Sequence, residues 1–307
     1  CITESQELNA QKAPMIESLP FNPSVPSCVS LQARMLTLQI ATYQSQSKEP
    51  IVSLNYAITR MYESVEFMIG DILKNNVRGD FMETGVFTGR ASAFIAASMQ
   101  AHAIKDKRLY LCDSFNGLPK PDKELYPADA EDTHYKQRKH ELGGPAITQH
   151  NFEVAGVRDD NLQRWVVGFF NETMPNLRNT VDALSLLRLD GDMYQSTWEV
   201  LTAMYPKVQV GGYVIIDDLH IAGCWKAVEN YRNLHGITAK IMYPRQAMHP
   251  SRKYLIGGYW KVTEVWTDGK AGVTRFNAQE APTILDSPFR CITESQELNA
   301  QKAPMIE

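Results

Sequence analysis

The stretch that decides the fold is Gly79-Asp-Phe-Met-Glu-Thr-Gly-Val-Phe-Thr-Gly-Arg90, which is followed by small and apolar residues at 91–99. Its first half predicts a strand, residues 91–99 predict a helix, and Gly85 and Gly89 lie in the turn between them. This order is typical of the nucleotide-binding half of a doubly wound α/β fold. Gly85 would permit unusual backbone angles and the close approach of a ligand. Gly89 would let the helix pack tightly on the strand.

The glycine spacing differs from that of a dinucleotide-binding turn. Such a turn reads G-x-G-x-x-G, whereas here Glu83 and Thr84 precede the first glycine and the next glycine is Gly89. A carboxylate at Glu83 would repel a pyrophosphate and suits a ligand with a cationic end. The alternative interpretation is that the glycines serve only for packing after a first strand.

The composition is that of an ordinary globular protein and argues against several classes of function. The chain has 307 residues, of which 44% are hydrophobic and 21% charged, so it can form one large α/β domain. A net charge of −4 and a pI near 6.0 predict neither nucleic acid nor an anionic membrane as a partner. No apolar run is long enough for a membrane span, and no signal peptide is evident. Five scattered cysteines fit reduced thiols, which predicts a cytoplasmic location.

The two ends of the chain are set apart from its centre. Residues 1–50 are polar and rich in proline, and they predict a partly disordered N-terminal arm with one helix at 31–41. Residues 291–307 repeat residues 1–17 identically. We assign no function to either copy, and an artefact or a tail is the expected interpretation. Residues 51–290 then form the predicted domain.

Two further strands are predicted to contribute to a ligand site. Residues 107–113 form a strand that ends in Asp113, and an acid in this position accepts hydrogen bonds from ribose hydroxyls in doubly wound folds. The alternative is that Asp113 caps the loop that begins at Ser114. Residues 165–170 predict the next strand, and its exit at 168–171 lies where an adenine would bind.

The remaining elements complete an alternating α/β pattern. Apolar residues at three- and four-residue steps predict a helix at 54–75. The polar segment 115–144 is either a lid over the site or a plain surface insertion. Residues 148–155 predict a helix, and strands at 239–243 and 254–262 predict a terminal antiparallel hairpin.

The strongest constellation in the sequence is a cluster of acids after two apolar strands. The first of these strands ends in Asp190, and the second ends in Asp217 and Asp218. Carboxyl ends of parallel strands share one edge of the sheet, so these carboxylates are expected to meet and to need a counter-charge. A hard divalent cation fits, with Mg²⁺ the natural choice. The alternative is that these acids serve only as helix caps. Ser196 is predicted to cap the helix that follows the strand ending in Asp190.

Five motifs stand out along the chain: E-T-G-V-F-x-G-R (83–90), C-D-S-F-N-G-L-P (112–119), G-F-F-N-E-T-M-P (168–175), L-R-L-D-G-D-M-Y-Q-S-T (187–197) and G-G-Y-V-I-I-D-D (211–218). The spacing E-x-G-x-x-x-G in the first of them resembles the first motif of S-adenosylmethionine-dependent methyltransferases. Together the motifs resemble the macrocin O-methyltransferase family, whose members methylate sugar hydroxyls of macrolide and aminocoumarin natural products. The resemblance runs from about residue 54 to residue 236.

The resemblance implies a doubly wound, mostly parallel, seven-stranded class I methyltransferase sheet with the terminal hairpin. It implies S-adenosylmethionine as donor and Mg²⁺ held by Asp190, Asp217 and Asp218. Asp192 would be the general base, and His220 is a second candidate from its position after the acid pair. The residues expected to bind the donor are Glu83, Thr84, Gly85, Gly89, Asp113, Ser114, Phe115, Gly168, Phe169 and Asp190.

The expected acceptor is a small molecule with a free hydroxyl, such as a glycosylated compound, and the expected assembly is a homo-oligomer. A catechol-type O-methyltransferase is one alternative, because the same metal site serves any vicinal diol. A non-catalytic, S-adenosylmethionine-binding partner subunit is another, although such a subunit has no need for three clustered carboxylates. A metal-dependent hydrolase is disfavoured by the motif around Glu83.

Overall fold

The computed structural model describes residues 51–136, 144–243 and 257–264. The predicted arm at 1–50 and the repeat at 291–307 lie outside these ranges. The helices are α1 (Ile51–Lys74), α2 (Arg90–Ala101), α3 (Pro145–Val154), α4 (Phe170–Thr180), α5 (Tyr194–Met204) and α6 (Ala222–Leu234). The strands are β1 (Asp80–Thr84), β2 (Leu109–Asp113), β3 (Gln163–Val167), β4 (Leu184–Leu189), β5 (Val208–Ile216) and β6 (Gly258–Lys261).

The strands form one sheet in the order β3-β2-β1-β4-β5-β6, in which β6 is antiparallel to β5 and the other pairs are parallel. This confirms the predicted mostly parallel α/β sheet, but the described residues contain six strands rather than the predicted seven. The predicted strand at 239–243 pairs only at Met242, which bridges to Tyr259. Ala239 and Ile241 of this predicted strand, and Ile237 before it, pack against the core instead.

The sheet is covered on both faces, which explains why its strands read as apolar runs. Successive side chains of a strand point to opposite faces. Phe81 of β1 therefore packs with α1 and α2, whereas its neighbour Met82 packs with α4 and α5. Burial of each such side chain contributes roughly 1.5–3 kcal/mol. Within the described ranges, no helix combines the length and apolarity needed to cross a membrane.

Helix α1 agrees with the predicted helix at 54–75. Val65, Met68, Ile69 and Ile72 recur on one face and are all buried in the same core cluster as Phe81. The helix therefore covers one face of the sheet, and the carboxyl ends of the parallel strands lead into loops. The chemistry-bearing residues are found at that edge.

Candidate active site

A cavity of about 290 Å³ opens at the carboxyl edge of the parallel strands. The turns after β1, β2, β3 and β4 all contribute to its wall, so the topology brings together residues that are far apart in the chain. The predicted site residues that line it are Gly85, Asp113, Ser114, Gly168, Phe169, Asp190 and Asp192.

The side chain of Asp113, at the end of β2, is hydrogen-bonded to the glycine turn that follows β1. Its Oδ2 accepts hydrogen bonds from the backbone N–H groups of Val86 and Phe87 at 2.7 and 2.8 Å, and its Oδ1 accepts one from Phe115 at 2.7 Å. Asp113 therefore caps two loops and also lines the cavity. A carboxylate offers about four acceptor sites, so capacity remains for a ligand hydroxyl.

The two glycines of the first turn are required by close packing within the chain. Gly85 has φ +90°, and a Cβ atom there would lie 1.7 Å from the carbonyl oxygen of Asp190. A Cβ on Gly89, which has φ +77°, would lie 2.1 Å from Cγ2 of Thr148 in α3. The predicted packing role of Gly89 is thus directed at a helix rather than at the strand, and Gly89 lies outside the cavity lining.

Glu83 is turned into the protein rather than toward the cavity. It is only 1% exposed, accepts a hydrogen bond from Ser92 and forms an ion pair with Arg188, its cross-strand partner in β4. Burial raises the pKa of the Glu83 carboxyl, and the guanidinium opposes this shift. Thr84 is also buried and donates to the carbonyl of Arg188 at 3.2 Å. The ring of Phe115 packs on Trp165, with 6.2 Å between centroids.

The three acids predicted to hold a metal do meet at this edge. One carboxylate oxygen from each of Asp190, Asp217 and Asp218 lies within 4.8 Å of the others. Burial raises the pKa of all three, that of Asp217 to about 6. Oδ1 of Asp217 is buried and faces the guanidinium of Arg188. Such an oxygen cluster is the donor set that Mg²⁺ prefers.

Arg188 is a residue of the acid cluster that the sequence motifs did not predict. Its Nη2 lies 2.9 Å from Oδ2 of Asp190 and 2.6 Å from Oδ1 of Asp217. Part of the counter-charge expected from a metal is therefore supplied by the chain itself. The available signal was a charged residue inside the apolar run Leu184-Ser-Leu-Leu-Arg-Leu189, because arginine is almost never fully buried without a partner.

The two candidate bases differ in their position relative to the cavity. Asp192 has φ +58°, lines the cavity and donates its backbone N–H to Oδ2 of Asp218 at 3.0 Å. His220 is half-buried outside the cavity lining. Burial raises the pKa of the Asp217 carboxyl, and the nearby His220 partly opposes this rise.

A short part of the described insertion, which comprises residues 115–136, lines the cavity. Leu118 and Pro119 line it directly.

The prediction that Ser196 caps α5 is wrong, because the N-cap is Met193 and Ser196 lies in the first helical turn. Helix α5 begins earlier than expected, since Asp192 already takes the left-handed turn that leads into it.

A glycine turn after the first strand, an acid at the end of the second and this strand order together define a class I methyltransferase-like α/β protein. The family model for macrocin-O-methyltransferase (TylF) matches residues 43–244. The chain belongs to this family, which confirms the predicted resemblance.

Two characterised relatives support the family assignment. The chain is 36% identical to demethyldecarbamoylnovobiocin O-methyltransferase of Streptomyces niveus over 55% of its own length and 64% of that enzyme. It is 35% identical to mycinamicin III 3''-O-methyltransferase of Micromonospora griseorubida over 65% of its length and 78% of that enzyme.

The fold comparison agrees with the sequence comparison. The O-methyltransferase NovP superposes with a TM-score of 0.67 at 27% identity, covering 79% of this chain and all of the solved chain. A calicheamicin methyltransferase superposes with a TM-score of 0.52 at 22% identity, over 77% of this chain and 93% of the solved chain, which supports the fold alone.

Proposed function

We propose that this protein transfers the methyl group of S-adenosylmethionine to a sugar hydroxyl of a glycosylated natural product, with Mg²⁺ held by Asp190, Asp217 and Asp218. The observation that carries the proposal is that Asp190 belongs both to this acid cluster and to the lining of a cavity that Asp113 and Gly168 also line. Family membership supplies the reaction class, and the relatives supply the acceptor class.

The donor fits the cavity by its chemistry. Asp113 offers a carboxylate for the ribose hydroxyls, and Gly168 and Phe169 border the space proposed for the adenine. A sulfonium centre is cationic, and a wall that contains Asp190 and Asp192 favours positive charge.

The metal fits because the described residues leave the cluster short of positive charge. Arg188 brings one positive charge to the carboxylates of Glu83, Asp190 and Asp217, and Asp218 adds a further carboxylate beside Asp190 and Asp217. When bound, Mg²⁺ would make a coordinated hydroxyl easier to deprotonate and would hold it in place.

Asp192 is positioned to take the acceptor proton, because it lines the cavity two residues beyond Asp190. The acceptor oxygen forms a bond to the sulfonium methyl carbon while the carbon–sulfur bond breaks. The products are the methyl ether and S-adenosylhomocysteine, and the proton resides on Asp192. His220 is the second candidate for this base.

The test combines binding and turnover. Calorimetric titration of S-adenosylhomocysteine, with Mg²⁺ and with chelator, measures the donor site. A separate Mg²⁺ titration should show a heat that Asp217→Ala abolishes, whereas Asp182→Ala, which removes an exposed partner of Arg78, should retain it.

Mass spectrometry then follows the gain of one methyl group on demethyldecarbamoylnovobiocin, mycinamicin III and a simple catechol. Methylation of a glycosylated compound supports the proposal. Methylation of the catechol alone would move the acceptor to the catechol class, and failure to bind S-adenosylhomocysteine would rule out methyl transfer.

A further inference from the structure

Helix α5 begins without a local cap, although it follows directly on the Asp190-Gly191-Asp192 turn. Its N-cap residue is Met193, whose side chain makes no capping hydrogen bond. The first backbone N–H groups of a helix have no partner within the helix and need one from elsewhere. A methionine thioether is a poor acceptor for this purpose.

The missing cap comes from Asp129 in the insertion, 65 residues before Tyr194 in the chain. Its Oδ1 accepts a hydrogen bond from the backbone N–H of Tyr194 at 2.8 Å, and its Oδ2 accepts one from Gln195 at 2.8 Å. Asp129 ends the short 3₁₀ turn Pro127–Asp129 and is 0% exposed. A carboxylate at a helix N-terminus also interacts favourably with the helix dipole.

The surroundings of Asp129 are built for this contact. A Cβ atom on Gly223, in the first turn of α6, would lie 2.9 Å from Oδ1 of Asp129. The ring of Tyr126 packs against that of Tyr194 with 6.1 Å between centroids, and its hydroxyl donates to Glu199 at 3.4 Å. The insertion thus contacts α5 along its first two turns.

These turns carry part of the cavity wall. Ser196 and Glu199 of α5 line the cavity, as does Asp192 immediately before the helix. Movement of the first turn of α5 would therefore displace all three. Burial of a carboxylate is costly unless both oxygens are satisfied, and here the N–H groups of α5 satisfy them.

We propose that Asp129 is a positioning residue of the active site: through the N-terminus of α5 it fixes the cavity wall against which the donor binds. The insertion then supports the donor site through α5, in addition to lining the cavity at Leu118 and Pro119. This inference rests on the proposed function, because it assigns the cavity to S-adenosylmethionine.

The test is the affinity for S-adenosylhomocysteine of Asp129→Ala, Asp129→Asn and a matched control. The control is Asp132→Asn, because Asp132 lies in the same insertion but accepts its bonds from His134, away from α5. Calorimetry is done at a temperature at which circular dichroism shows each variant to be folded.

We expect Asp129→Ala to weaken binding by about tenfold, because the uncapped first turn of α5 must then be ordered when the ligand binds, at a cost similar to that of a lost helix cap. Asp129→Asn retains one acceptor oxygen, so its affinity for S-adenosylhomocysteine should lie between that of Asp129→Ala and that of the unaltered protein. Asp132→Asn should bind normally.

A purely structural cap would lower the thermal midpoint and leave the affinity of the folded protein unchanged. A normal affinity in folded Asp129→Ala would therefore overturn the inference while leaving the proposed function intact. If Asp129→Ala does not fold, a normal affinity in Asp129→Asn would overturn it in the same way. Absence of binding by the unaltered protein would overturn the proposed function and this inference together.

Discussion

The guanidinium of Arg188 lies 2.6 Å from Oδ1 of Asp217, in the interior of the acid cluster that is proposed to hold Mg²⁺. The same guanidinium contacts Glu83 and Asp190. Burial alone would lower the pKa of Arg188, but the surrounding carboxylates raise it well above its ordinary value. The cluster is thus organised around a permanent charge of the chain before any metal binds.

Loss of this charge should be strongly destabilising. Arg188→Met would leave the buried Glu83 and the half-buried Asp190 and Asp217 without their shared partner, and removal of one member of a buried ion pair costs about 3–5 kcal/mol. The free energy of unfolding from urea denaturation measures this loss. Arg188→Lys keeps the positive charge and should lower the free energy of unfolding by less than Arg188→Met. Equal stability of Arg188→Met and the unaltered protein would show that the guanidinium is dispensable.

Much of the site could be predicted because it depends on local pattern and topology. The apolar runs before Asp190 and Asp217 identify parallel strands, and the carboxyl ends of parallel strands meet at one edge. The acid at the end of β2, Asp113, follows from the same rule and does line the cavity. These inferences need only the order of elements along the chain.

The rest depends on contacts between segments that are distant in the sequence. Glu83 has the motif position of a ligand-binding acid, but register pairing with Arg188 turns it toward the interior. Nothing near Tyr194 in the sequence reveals that its cap is Asp129. Side-chain pairing between such distant segments follows from the packed structure and has no periodic signature.

The close contact between Gly85 and Asp190 gives a prediction about the first turn. A Cβ at Gly85 would meet the Asp190 carbonyl oxygen at 1.7 Å, so Gly85→Ala must displace the backbone that carries Asp190. We expect Gly85→Ala to lose S-adenosylhomocysteine binding, measured by calorimetry. Gly236→Ala is the control, because Gly236 also has a positive φ of 63° but has no heavy atom within 4 Å of the added Cβ. The control should cost about 1 kcal/mol in stability and bind normally. Normal binding by Gly85→Ala would contradict the close packing of this turn.

The link between α1 and the sheet predicts a dependence of stability on pH. Lys261 donates to Asp71 at 2.5 Å and Tyr213 donates to it at 2.8 Å, and chiefly the Lys261 bond lowers the pKa of Asp71. The folded pKa lies below the unfolded value of about 3.9, so the contribution is present above that pH and is lost as pH falls through the folded pKa.

Asp71→Asn should therefore lower the free energy of unfolding at pH 7 by about 1 kcal/mol or less, since the Asp71–Lys261 pair is partly exposed and screened by solvent. The difference from the unaltered protein should begin to shrink below about pH 4 and should vanish once the pH is below the folded pKa of Asp71. Denaturation at pH 7, 5 and 3 measures it, and Asp182→Asn serves as an exposed ion-pair control. A difference that grows as the pH falls would contradict the assignment.

The choice between the two candidate bases is tested by paired substitutions with an acceptor that the protein methylates. Asp192→Asn keeps the size of the side chain and its backbone bond to Asp218 but cannot accept the proton. General-base catalysis contributes about 10²–10⁴-fold, so kcat should fall by that range. His220→Asn should change kcat far less, because His220 lies outside the cavity lining, beside Asp217. Thermal midpoints of both variants establish that the loss is not one of folding. The opposite pattern, with kcat lost in His220→Asn and retained in Asp192→Asn, would assign the proton to His220 and leave Asp192 as part of the cavity wall.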